Sequence, residues 1–348
     1  MTRRLKVALD AMGGDHAPVA VVEGAAIARE RYPNADYLFF GDEAAIAPLL
    51  AQHPKLQAAS QVVHTTEVVS ADAKPSQVLR HGRASSMAMA LEAVRDGQAD
   101  VAVSAGNTGA LMALAKFTLR TMPGIDRPAL ATLLPTSQGE CVMLDLGANV
   151  ECDARNLVEF AVMGAAFART VLGTPNPRLG LLNVGVEELK GNDQVKEAGQ
   201  RLKTLPLSLD FIGFIEGDDI AAGTADVVVT DGFTGNIALK TAEGTARMIA
   251  RLMSSAFRSS FLSKMGALLA RRGLKALKDH LDPNNHNGAV FLGLNGLVVK
   301  SHGGANASGI ASAIGVAHDM SADKLLHHIA EDLKRGGTST VQQETAAS

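Results

Sequence analysis

Short runs of Val, Leu, Ile and Ala, three to six residues long, alternate along this chain with longer stretches whose apolar positions recur at helical spacing. The short runs predict strands at 5–9, 37–40, 101–103, 130–134, 141–145, 179–184, 211–215, 226–230 and 297–300. The longer stretches predict helices at 18–31, 85–96, 107–120, 156–170 and 192–203. Such alternation is the mark of βαβ units, so the expected fold is α/β, a mostly parallel sheet sandwiched by helices.

The ends of the strands share a chemistry. Leu9 runs into Asp10-Ala11-Met12-Gly13-Gly14-Asp15-His16, and Val103 into Ser104-Ala105-Gly106-Asn107-Thr108-Gly109. Leu144 runs into Asp145-Leu146-Gly147-Ala148-Asn149, and Val184 into Gly185-Val186-Glu187-Glu188-Leu189-Lys190-Gly191. Thr230 leads to Asp231-Gly232-Phe233-Thr234-Gly235-Asn236, and Lys300 to Ser301-His302-Gly303-Gly304. Ligands of open α/β sheets bind outside the carboxyl ends of strands, so these turns are expected to build one site.

Composition narrows the class. The chain has 348 residues, 47% hydrophobic and 20% charged, which fits a globular protein and argues against disorder. The 34 glycines cluster at the ends of apolar runs, as tight turns around a site require. A formal net charge of -3 supplies no global field for nucleic acid. Cys141 and Cys152 are the only cysteines, which indicates no disulfide framework and fits a reducing compartment. Lys6, Asp10 and Asp15 interrupt any secretory core near the start, and no apolar run reaches the roughly 20 residues that span a bilayer. The expectation is one catalytic domain over 1–335 with a flexible tail at 336–348, located in the cytoplasm.

Several of the turns open onto helices, whose free N–H groups and partial positive charge favour phosphate or another anion. The segment 104–116 is the clearest. Gly106 and Gly109 permit close backbone approach, Ser104, Asn107 and Thr108 add polar groups, and simple N-capping is the competing explanation. No Gly-x-x-x-x-Gly-Lys-Ser/Thr, no Gly-x-Gly-x-x-Gly after the first strand and no Gly-x-Ser-x-Gly occurs, so nucleotide-binding and serine-hydrolase chemistry are disfavoured. Asp10, Asp15, Asp145, Glu187 and Asp231 can bind a divalent metal or serve as orienting groups or caps; their spacing matches no standard metal site, so the second roles are preferred and neither a metal nor a cofactor is expected. His16 and His302 lie in Gly-rich loops, where each can protonate a leaving thiolate or serve only as a hydrogen-bonding group. Lys74, Arg80, Lys190 and Lys240 are the basic phosphate candidates, against the alternative of solvated surface charge, and Lys190 beside Gly191 is preferred.

Together the turns at 10–15, 104–110, 145–149, 185–191 and 231–236 resemble the phosphate acyltransferase family PlsX, over about residues 5 to 328. The resemblance implies transfer of a fatty acyl group from acyl carrier protein to inorganic phosphate, giving the acyl phosphate used in phospholipid synthesis. It also implies a fold similar to phosphotransacetylase and the isocitrate/isopropylmalate dehydrogenases, and a homodimer. Phosphate is itself an anionic nucleophile, so the protein need only hold it against the thioester carbonyl and stabilise the oxyanion. The expected catalytic set is Lys190, His16, Asn236 and Asp231. Expected to bind phosphate or substrate are Gly13, Gly14, Lys74, Arg80, Ser104, Gly106, Asn107, Thr108, Gly109, Asn149, Glu187, Lys240, His302 and Gly303.

One stretch has a different character. From Gly244 to Lys278 there are eight Lys/Arg and no Asp/Glu, with Phe261, Leu262, Met265, Leu268 and Leu269 at helical spacing and a break at Gly273. This predicts a protruding basic amphipathic hairpin over 245–282. It can pack in the core or against a second subunit, lie on anionic lipid, or dock acidic acyl carrier protein. Arg258, Phe261, Leu262, Lys264, Leu268, Arg271, Arg272 and Lys275 are the candidate contacts, on the inner face of the cytoplasmic membrane in the second case. Two rival functions stay open: a phosphotransacetylase-like enzyme using short-chain acyl-CoA, and a non-catalytic membrane scaffold.

Overall fold

The computed structural model describes residues 4–206, 209–275, 287–322 and 324–335. The first part comprises β1 (Leu5–Asp10), α1 (Val19–Arg31), β2 (Ala35–Gly41), α2 (Glu43–Leu50), α3 (Pro54–Gln57), β3 (Ser60–His64), α4 (Pro75–His81), α5 (Ser86–Arg95), β4 (Val101–Ser104) and α6 (Thr108–Leu119). Next come β5 (Ala129–Thr136), β6 (Gly139–Leu144), α7 (Ala154–Val171), β7 (Arg178–Leu182), α8 (Asp193–Leu202), β8 (Asp210–Ile215), α9 (Gly217–Ala222) and β9 (Val227–Val229). Then follow α10 (Gly232–Arg258), α11 (Phe261–Leu269), β10 (Ala289–Leu292), β11 (Leu297–Lys300), α12 (Ala307–Ala322) and α13 (Leu325–Arg335). All nine strands and five helices that the pattern predicts are present, with ends shifted by no more than two residues.

The described strands form one sheet in the order β3-β2-β1-β4-β11-β10-β5-β6-β9-β7-β8. Its flanks are parallel, but β10 is antiparallel to both β11 and β5, and β5 is antiparallel to β6. The sense of the second half is therefore reversed relative to the first. Two sets of strand ends result, where the sequence pattern alone implied one.

Side-chain alternation sorts the core onto the two faces. Val7, Leu9, Val101 and Val103 join the apolar layer under α1, α7 and α12, while Ala8, Ala102 and Val298 join the layer under α5 and α6. The next residues along that second face are polar. β1 pairs with β4 through Leu9 and Val103, and β11 pairs with β4 through Lys300 and Ser104. Asp10, Ser104 and Lys300 thus form one row across three neighbouring strand ends.

α10 departs from the rest of the chain. Only Gly232 and Gly235 of its 27 residues are buried, and α11 has none. Phe261, Leu262 and Leu269 are 77%, 81% and 84% exposed, which removes the reading of this stripe as core of its own chain. The helical arm begins at 232, well before 245, and residues 271–275 are helical. The expected return of the hairpin over 276–282 and the expected flexible tail 336–348 lie outside the described residues.

Candidate active site

The row at the ends of β1, β4 and β11 is the hub of the first loop group. Asp10 is buried, and its carboxylate accepts from Ser86 Oγ and Ser104 Oγ, each at 2.6 Å. Burial raises its pKa above 3.8, and the two hydroxyls with the amides of Met12 and Gly13 act in the opposite sense. Ser104 Oγ in turn accepts from the Gly106 amide at 3.1 Å. The backbone approaches so closely that a Cβ on Gly13 would lie 2.4 Å from Asp10 Oδ2 and 2.8 Å from the Gly106 nitrogen. Gly14, at φ +101°, brings the Asp15 amide to the Gly303 carbonyl at 2.9 Å. Loops 10–16, 104–109 and 301–304 are thereby one structure.

Lys300 closes this group from below. It is 8% exposed, and its Nζ donates to the Ala105 carbonyl at 3.4 Å and to the Ser301 carbonyl. Burial and the nearby Lys240 lower its pKa from 10.5 to about 8, while Asp10 and Asp15 act in the opposite sense. His302 Nδ1 accepts from the Gly304 amide at 3.1 Å, which leaves Nε2 to carry the proton of the neutral ring. Burial, and then Lys240, push its pKa below 6.5. Neutral His302 is therefore an N–H donor at Nε2.

α6 opens beside this hub. Asn107 Oδ1 caps it by accepting from the Ala110 amide at 2.9 Å, while its Nδ2 donates to the Ala71 carbonyl at 2.7 Å. That second bond fastens the 71–75 segment, and with it the exposed Lys74, over the first turn of α6, where Gly109 faces Pro75. The amides of Thr108 and Gly109 belong to the first turn and point out of the helix.

The second loop group is built around Asp145, which is fully buried. It accepts from the amides of Leu130 at 2.9 Å, Ala148 at 3.0 Å and Asn149 at 2.6 Å, and from Asn149 Nδ2 at 2.9 Å. Asp231 caps α10 through the Thr234 amide at 2.9 Å, and the Gly232 amide donates to the Asn149 carbonyl at 2.7 Å. Gly147 lies against the Asn236 side chain. Asn149, Asp231 and Asn236 are therefore neighbours.

α10 joins the two groups. It carries Lys240, Glu243 and Arg247 into electrostatic range of His302, and Lys240 into range of Lys300. Lys240 pairs with Glu243 at 3.0 Å, and Arg247 pairs with the same carboxylate at 3.4 Å.

Other candidates stand apart. Lys190 pairs with Glu187 at 2.9 Å in an exposed loop, where Asn183 Nδ2 donates to the carbonyls of Gly185 and Lys190 at 3.1 Å. The described polar contacts of that loop are internal or run to Lys203 and Glu216, and none of them joins it to Lys300 or Asn149. Unlike Lys190, His16 belongs to loop 10–16 of the first group and lines an open depression of about 460 Å³ with Glu23 and Asn306. Arg80 is exposed at the end of α4. Sequence reasoning missed Ser86 and Lys300. The available signal for Lys300 was a lysine ending the apolar run Leu297-Val298-Val299 directly before Ser301-His302-Gly303.

Residues 5–327 match the profile of the family described as fatty acid synthesis protein. The phosphate acyltransferase of Rhodospirillum centenum is 59% identical over 335 residues, covering 96% of this chain and 94% of its own length. That of Paramagnetospirillum magneticum is 57% identical over 320 residues, covering 92% of this chain and 91% of its own length. The chain belongs to the phosphate acyltransferase family. It is an acyltransferase, so the scaffold alternative falls away. Among solved structures, a phosphotransacetylase from Streptococcus pyogenes superimposes with a TM-score of 0.61 at 19% identity, covering 94% of this chain and 95% of that one. A branched-chain phosphotransacylase from Enterococcus faecalis gives 0.58 at 14%, covering 91% and 99%. At such identities the likeness is one of fold, and it matches the expected relation to phosphotransacetylase.

Proposed function

We propose that this phosphate acyltransferase takes a fatty acyl group from acyl carrier protein and gives it to inorganic phosphate, forming an acyl phosphate for phospholipid synthesis. The observation that carries the reading is the first loop group: three glycine-lined turns locked together, with first-turn amides, a buried ammonium and neutral His302 around them. Such a cradle holds an oxyanion through preorganised donors, which is what attack of phosphate on a thioester requires. A phosphate oxygen forms the new C–O bond, the C–S bond breaks, and the carrier's sulfur leaves as thiolate, hydrogen-bonded by His302, and takes up the proton that the acylated hydrogen phosphate releases. No side-chain nucleophile is needed. Asn236 and the Thr108 and Gly109 amides are assigned to the carbonyl oxygen and phosphate, and His302 Nε2–H to the leaving sulfur.

The test is release of free thiol by the purified protein. Long-chain acyl carrier protein is expected to turn over only when phosphate is added, and to exceed acetyl-CoA in kcat/KM; the reverse preference would establish the short-chain alternative.

Lys190 is retained as a substrate-contacting cation in this proposal, acting when the 185–191 loop meets the acyl donor. Lys190→Ala is expected to cost on the order of a hundredfold in kcat/KM with an unchanged thermal midpoint, because its side chain is half exposed. Turnover near the wild-type rate would remove Lys190 from the site.

The exposed stripe of α10 and α11 is assigned to a second subunit and to an anionic membrane surface. Basic residues flanking apolar ones favour that surface, and each Lys or Arg near it contributes about 1 kcal/mol. The double substitution Leu262→Glu, Leu269→Glu is expected to abolish co-sedimentation with anionic vesicles while the fold persists, since both side chains are outside the core. Undiminished sedimentation would refute the assignment.

A further inference from the structure

We propose that Lys300 donates directly to an oxygen of the orthophosphate substrate, at the floor of the cradle between loops 104–109 and 301–304. The inference rests on the phosphate acyltransferase reading above and assigns a residue within it.

An ammonium has three donors. Two of those of Lys300 are taken by the carbonyls of Ala105 and Ser301. Among the described residues, no carboxylate lies within ion-pair distance of Nζ, although the side chain is more than nine-tenths buried. With Asp10 and Asp15 near it but no ion-pair partner, the buried ammonium has its charge compensated only in part, which is costly without an anion.

The surroundings indicate where that anion sits. Asp10 lies in the same row of strand ends, but its two oxygens are turned to Ser86 and Ser104. Asp15 approaches Gly303 and Gly304 from the neighbouring loop. Lys240 and His302 are also in electrostatic range, and His302 is in range of Glu243 and Arg247 of α10 as well. Lys240 disfavours the charge of Lys300, and a dianion between them would offset that repulsion by attracting both. Ala105, one of the two carbonyl acceptors, lies three residues before Thr108, the first residue of α6.

The pH dependence follows from the lowered pKa. Below about pH 8 Lys300 is charged and binds phosphate; above it the charge is lost and affinity declines. His302, whose pKa is pushed below 6.5, is already neutral in that range and does not produce the decline.

Steady-state kinetics on the full-length protein test this. Lys300→Met is expected to raise the KM for phosphate roughly tenfold to a hundredfold, the effect of one charged hydrogen bond, and to leave the KM for acyl donor within about twofold. Lys300→Arg keeps its charge at all accessible pH, so its phosphate KM is expected not to rise on the alkaline side as that of the wild type does. An unchanged phosphate KM in Lys300→Met, or the same alkaline rise in Lys300→Arg, would overturn the assignment. Should Lys300→Met not fold, calorimetry of inorganic phosphate binding at alkaline pH decides. The wild type is expected to take up a proton on binding and Lys300→Arg is not; equal uptake in both overturns it. A wild-type protein with no phosphate-dependent thiol release would instead defeat the reading of the whole site.

Discussion

Gly235→Ala is expected to lower kcat/KM on the order of a hundredfold and to destabilise the fold by about 1–3 kcal/mol. The added Cβ would lie 1.9 Å from the Asp145 carbonyl oxygen, an atom of the main chain that no rotamer change can move. α10 must then back away from the 145–149 loop. Asn236 and Lys240 are carried with it, and the Gly232 amide is drawn from the Asn149 carbonyl. Displacement of about 1 Å suffices for a loss of that size when catalysis depends on positioning. Gly244→Ala is the control: it lies in the same helix with nothing within 4 Å of the added methyl. There the exchange is expected to raise stability by up to about 1 kcal/mol through helix propensity and to leave turnover unchanged. Denaturant titration and steady-state rates on the two variants separate a lost backbone contact from a general effect of alanine. Wild-type rates in Gly235→Ala would show that α10 does not set the site.

Asp10→Ala is expected to cost about 3–5 kcal/mol of stability and all measurable activity. It strips a shared acceptor from Ser86, Ser104 and the Met12 and Gly13 amides, and it removes a carboxylate from the surroundings of buried Lys300. Asp10→Asn keeps the shape and one acceptor, so its loss is expected to be smaller, about 1–2 kcal/mol. The chemical denaturation midpoints of the two variants check the order. If Asp10→Ala unfolded at the wild-type midpoint, the row across β1, β4 and β11 would not be holding the loops together.

These two residues illustrate what the sequence does and does not disclose. The Gly-rich turns are legible because glycine, cap residue and strand end coincide, as at Asp10 to Gly14 and Ser104 to Gly109. Their partition into two groups is not. It depends on the antiparallel pairing of β5 with β6, which reverses the sheet, whereas β10 is antiparallel to both neighbours and leaves β11 and β5 in the same sense. β3 escapes for another reason: Ser60-Gln61-Val62-Val63-His64 is a half-exposed edge strand with little apolar contrast. Lys300 escapes because a lysine in a sequence reads as solvated, and only the register of β11 against β4 reveals it as buried. The reverse holds for Lys190, prominent as a motif residue yet seated in an exposed loop beside Glu187.

At 1.5 Å per residue, the 27 residues of α10 make a rod about 40 Å long. Its foot is clamped from Asp231 to Leu239, since Ala238 and Leu239 pack against the core, and no residue of the helix beyond Leu239 is buried. A small swing about the foot moves Arg258 several times further than Asn236. The molecule can therefore rock against whatever grips the distal end while the reacting groups near the pivot keep their spacing.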